Sequence, residues 1–194
     1  MSVAPPTLEP VAEVRLPPGD RVDGLPRIAL LDGLPFPNHD ALAGRLVVDD
    51  PDGLAESYPL SSRNHGTAMA SLIVQGDLSI GGEPLDRPLY VRPIMRPHEF
   101  AAGYEQILPN RLLTDLLHQA IKRIVEGEGG RAAVAPSVRI VNLSIGAQAR
   151  ALVRRMSPVG RLLDWLAHSY NLLFIVSAGN HSDPIIIPAA NLTD

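Results

Sequence analysis

Three side chains in this sequence have the types that acyl-transfer chemistry needs: the carboxylate of Asp32, the imidazole of His65 and the carboxamide of Asn180. Hydrolysing an amide requires a nucleophile, a base to take its proton, a group that orients the base, and donors for the developing oxyanion. Histidine serves as a base near neutral pH because its ordinary pKa is about 6.5. A buried carboxylate bonded to the other ring nitrogen sets the tautomer and stabilises the imidazolium. Asp32 closes the apolar run Ile28-Ala29-Leu30-Leu31, and His65 opens a stretch of small residues, Gly66-Thr67-Ala68-Met69-Ala70. Asn180 follows Ala178-Gly179, where glycine permits a sharp turn. Taken singly, each position has a plainer reading. Strand-end aspartates cap turns, histidines begin helices or sit on surfaces, and asparagine tolerates left-handed geometry.

Such groups must be carried by elements that end together. Ile28 to Leu31, Leu89 to Val91, Val138 to Leu143 and Leu172 to Val176 are short apolar runs that suit strands buried on both faces. Between them Gly66 to Gln75, Arg111 to Glu126 and Ala151 to Tyr170 read as helices. The second repeats Leu112, Leu116, Ala120 and Ile124 at intervals of four. Pro158 and Gly160 interrupt the third and are expected to split it. Gly44 to Arg63 reads as an exposed polar loop and Glu126 to Gly130 as a flexible one. Strands alternating with helices predict an α/β domain, a parallel β-sheet flanked by helices. In such sheets ligands bind at the carboxyl ends of the strands, and Asp32 and Asn180 both fall at such ends. Residues 1–26 carry six prolines and read as an extended lead-in to a domain over 27–194.

Four blocks occur in order: Leu30-Leu31-Asp32-Gly33 with His39 and Leu42 beyond it, Asn64-His65-Gly66-Thr67, Val141-Asn142-Leu143-Ser144-Ile145-Gly146, and Ser177-Ala178-Gly179-Asn180. Their order and context resemble the subtilases over about Arg27 to Pro188. The resemblance implies a subtilisin-like fold, incomplete on its C-terminal side, and a serine endopeptidase. In that reading Asp32 orients the base, His65 is the base, and Asn180 is the side-chain donor to the oxyanion. Leu143, Ser144 and Ile145 would offer a strand edge to an extended peptide, and Gly146 would line the pocket for the side chain before the cut. Two departures stand out. Gly33 replaces the family's usual Ser or Thr, which withholds a hydroxyl from Asp32. Ala68-Met69-Ala70 replaces the frequent His-Val-Ala.

The family's final block, Gly-Thr-Ser, does not occur in the sequence. The nucleophile is therefore expected beyond Asp194. An inactive subtilase-like domain that binds peptides or partners is the alternative. A nucleotide-binding domain ranks below both, because no Gly-x-Gly-x-x-Gly or phosphate loop appears.

Composition narrows the partners. The net charge of −4 and the lack of a basic patch argue against nucleic acid. With no cysteine, disulfides, thiolate metal sites and a cysteine nucleophile are excluded. No run is long enough to span a membrane, and Met1 to Leu16 lacks the features of a signal peptide, so a cytoplasmic location is expected unless a leader was removed. Asp49, Asp50 and Asp52 flank Pro51 and read as a solvated loop, so neither calcium nor any other cofactor is expected. The expected partner is a protein or peptide substrate. A piece of such a domain would also expose apolar surface and self-associate.

Overall fold

The computed structural model describes residues 21–78, 82–100, 104–145 and 156–177. Among these the chain runs β1 (Ile28–Asp32), β2 (Leu46–Val48), α1 (Asn64–Gln75), β3 (Leu89–Pro93), β4 (Met95–Pro97), β5 (Glu105–Ile107), α2 (Leu113–Val125), β6 (Gly127–Glu128), β7 (Arg131–Ala132), β8 (Ile140–Leu143), α3 (Pro158–Tyr170) and β9 (Leu173–Val176). Short 3-10 turns at Leu54–Ser57 and Leu60–Ser62 precede α1.

Five strands form one parallel sheet in the order β2-β3-β1-β8-β9, so the architecture is α/β as the alternation predicts. β1 lies at the centre. From β1 the chain goes first to the edge strand β2, returns to β3 between them, then crosses to the other side for β8 and, beyond it, β9. The winding therefore reverses beside β1, and Asp32 stands at its carboxyl end, the end at which open α/β sheets bind ligands.

Successive side chains of β1 enter opposite layers, as strand geometry requires. Ala29 and Leu31 join Leu116, Leu117, Ile121 and Ile124 of α2 and Leu166 of α3. Leu30 joins Ala70 and Val74 of α1 with Leu42, Leu89 and Val91. Asp32 is thus the polar end of a strand with no solvent on either face.

Several expectations change. Pro158 begins α3, and Gly160 lies inside it; the stretch 151–155, the other part of the expected helix, lies outside the described residues. Ser157 caps the first turn by accepting from the Gly160 N–H at 3.0 Å, and proline at the first helical position gives up a donor that would have no partner. Leu112 is 69% exposed as the residue before α2, whereas Leu116, Ala120 and Ile124 are buried. Glu126 to Gly130 leads into a tight hairpin, β6 with β7.

The 44–63 segment contributes to the fold: it contains β2 and buries Leu54 and Tyr58 against Leu34. Its acidic cluster is bound, not solvated. Asp49 accepts from Arg123 Nε and Nη2 at 2.8 and 2.9 Å and from the Tyr90 hydroxyl at 2.6 Å. Asp50 accepts the Leu54 and Ala55 N–H groups. Asp52 meets Arg111 at 2.9 Å. On β9, Leu173 and Ile175 share one face and are 59% and 50% exposed. No helix among the described residues is long and apolar enough to cross a membrane.

Leu30→Ala is expected to lower stability by about 2–5 kcal/mol, because it empties the layer beneath α1. The measurement is a urea midpoint that falls while the denaturant slope holds.

Candidate active site

Asp32 is wholly buried at the last position of β1. Its carbonyl accepts the Ile94 N–H at 2.9 Å, which ties the strand end to the exit of β3. Its Oδ1 accepts the Gly33 N–H at 2.7 Å and faces Nδ1 of His65 at 3.0 Å. Oδ2 is buried with no hydrogen-bond partner.

His65 is the second residue of α1, and three consecutive residues at this helix start do different work. Gly66 lies against the turn after β1 so closely that a Cβ there would stand 2.5 Å from the Gly33 carbonyl oxygen and 2.8 Å from its carbon. Only glycine permits that approach without moving backbone. The Thr67 hydroxyl donates to the Arg63 carbonyl at 2.6 Å and accepts the Phe36 N–H at 2.9 Å, joining the turn before α1 to the loop after Asp32. With both backbones fixed, the imidazole is delivered to the carboxylate.

Because Oδ1 already accepts from Gly33, it acts as an acceptor toward the ring, so Nδ1 carries the hydrogen. Nε2 is then the basic nitrogen, and the His65 side chain is half exposed. The hydrogen bond from Asp32 holds the imidazole above its ordinary value, against the opposing effect of burial, with further attraction from the Asp32 and Glu105 charges.

Glu105, which no motif singled out, completes the group. It comes from β5, which pairs antiparallel with β4. Its Oε1 accepts the Tyr58 hydroxyl, and its Oε2 lies 4.0 Å from His65 Nδ1. Burial raises the Glu105 carboxyl above its ordinary value, and Asp32 nearby adds to this, while Tyr58 and His65 oppose it. Burial, reinforced by Glu105, likewise pushes the Tyr58 phenol up. Ligand atoms of Asp32, His65 and Glu105 all lie within 4.8 Å of one another. The Asp32–His65 hydrogen bond and the hold of Tyr58 on Glu105 already account for that closeness.

The third block sits beside β1. Leu143 is paired on both sides, with Leu31 and with Val176, and its side chain is buried. Among the described residues the pairing of β8 ends there, and Ser144 and Ile145 follow it. The Ser144 hydroxyl donates to Asn142 Oδ1 at 2.7 Å, and Ile145 packs on the main core. Gly146 and Asn180 lie outside the described residues.

A family model described as the subtilase family matches residues 26–193. Neither the curated proteins nor the solved structures gave a match.

Two outcomes follow from this geometry. Gly66→Ala pushes α1 off the Gly33 turn and is expected to cost about 1–3 kcal/mol, read in urea. The second concerns pH. An imidazole raised above its unfolded value of about 6.5 holds its proton more tightly in the folded chain. Its contribution to stability is complete below about pH 6.5 and is lost as the pH rises through the raised folded value. Asp32→Asn removes the main cause of that rise. The urea-measured stability gap between wild type and this variant should be widest near pH 6 and narrow toward pH 9, with about these limits set by the ordinary histidine range. A gap that stays flat across the window would contradict the assignment.

Proposed function

The chain belongs to the subtilase family, which carries a protease-type function, and on that premise we propose that it supplies the base side of a serine endopeptidase. The observation that supports this most directly is the 3.0 Å contact from a fully buried carboxylate to the Nδ1 of a half-exposed imidazole, at the carboxyl end of the central strand.

The chemistry follows from that arrangement. His65 Nε2 takes the proton of a serine hydroxyl as its oxygen attacks the peptide carbonyl, and Asp32 stabilises the imidazolium that results. The proton then passes to the leaving amine, releasing the first product and leaving an acyl-enzyme. Water, activated by the same nitrogen, frees the second product. In this reading the nucleophile is a serine outside these 194 residues, Asn180 donates to the oxyanion, and the chain past Leu143 pairs with the substrate main chain. Main-chain pairing accepts varied sequences, which suits protein or peptide substrates.

The test uses the protein that carries this chain together with a Gly-Thr-Ser segment. It should cleave casein or a peptide ester, and His65→Ala should reduce kcat by about 10⁴-fold or more. Cleavage unchanged in that variant would remove His65 from the role of base.

A further inference from the structure

Gly33 stands where the resembling family usually places a hydroxyl, and the Asp32 Oδ2 beside it is buried without a partner. The space is not empty. A Cβ built on Gly33 would fall onto the Glu105 carboxyl group, with Cδ at 2.7 Å and Oε2 at 2.8 Å. The carboxylate therefore occupies the volume that any side chain at position 33 would need.

That carboxylate is delivered and held by parts distant in sequence. β4 leaves the sheet just after β3, and β5 turns back along it with Glu105 opposite Pro97. The Tyr58 hydroxyl donates to Glu105 Oε1. The loop carrying Tyr58 is tied in turn to the start of α1, since Arg63 donates through Nη2 to the carbonyls of Tyr58 and Ala55 at 3.1 and 3.3 Å. The Glu105 side chain is only 7% exposed. The charged and titratable groups facing the imidazole are thus Asp32 from β1 and Glu105 from β5, with the Tyr58 phenol behind Glu105.

We propose that Glu105 is a positioning residue for the base: anchored by Tyr58 in the volume that Gly33 leaves free, it presents a second carboxylate to His65 and raises the basicity of the imidazole. The inference rests on the reading of His65 as the base. Asp32 makes the direct hydrogen bond and Glu105 acts across 4.0 Å, through its charge. Opposite charges within about 4–6 Å favour the protonated imidazole. Gly33 is the enabling residue. Its φ is not positive, so a methyl side chain there meets no backbone strain and acts by displacing Glu105.

The test is a pH titration of the imidazole resonances by NMR in the 194-residue chain, with His65 assigned through His65→Gln. Glu105→Gln should lower the His65 midpoint by about 0.5–1 pH unit. Gly33→Ala, which adds bulk but no donor to Asp32, should lower it similarly by evicting the carboxylate, and the double variant should fall no further than either single one. Tyr58→Phe, which frees the carboxylate, should give a smaller fall in the same direction. A merely structural Glu105 would leave the midpoint in place while lowering stability, and that result would overturn the proposal. Asp32→Asn separates the two readings. A fall there without one in Glu105→Gln rejects only the role of Glu105. No fall in either rejects the pairing of His65 with Asp32, and the proposal with it.

Discussion

The arrangement depends on one backbone contact, the approach of Gly66 to the carbonyl of Gly33. A Cβ at Gly66 would stand 2.5 Å from that oxygen, well inside van der Waals contact, so the start of α1 can seat on the turn after β1 only because the residue is glycine. Thr67 then locks the seat by bonding to main chain on both sides of it. Once two backbones are fixed this closely, little freedom remains for the ring between them. The hydrogen bond from His65 to Asp32 is a consequence of packing as much as of attraction. The positive end of α1 favours the carboxylate and disfavours the imidazolium, yet the imidazole is still raised, so the nearby carboxylates prevail.

Topology decides why this happens at Asp32. β1 is the strand about which the sheet changes its winding, and both its faces are filled, by α2 and α3 on one side and α1 on the other. A strand so covered can meet polar partners from other elements only at its end. The chain places its polar residue there, where α1, the β4–β5 hairpin and the end of β8 converge. Burial is then divided unevenly across the pair: Asp32 is sealed while half of the His65 side chain meets solvent. A sealed carboxylate keeps its orientation, and an open imidazole keeps a nitrogen available to a reactant.

Much of this could be read from residue types. The apolar runs ending at Asp32 and Leu143 marked central strands, because strands buried on both faces show no alternation and need little context to be recognised. The His65-Gly66-Thr67 triplet was legible only as a block that opens a helix; the approach of Gly66 to Gly33 and the bond from Phe36 to Thr67 join residues about thirty positions apart and emerge only in the fold. Most readings that changed depended on partners far along the chain, and one on a cap beside it: Ser157 caps the helix that Pro158 begins. Asp49 and Asp52 look solvated until Arg123 and Arg111 arrive from around α2. Glu105 lies 40 residues beyond His65 in a three-residue strand with no periodic pattern. Its place follows from the register of β4 with β5 and from the absence of a side chain at Gly33, and neither is a property of its neighbours.

The unsatisfied Oδ2 of Asp32 shows how much the surrounding core tolerates at this point. A buried polar atom without a partner costs about 1–3 kcal/mol, a large share of the stability of a domain this size. Oδ1 meanwhile serves both the Gly33 N–H and the His65 ring. Sharing one oxygen while stranding the other is unfavourable for folding, but it sets the ring against an oxygen that the backbone already fixes. The burial that makes the carboxylate costly thus comes with an orientation fixed by the Gly33 N–H and turned toward His65.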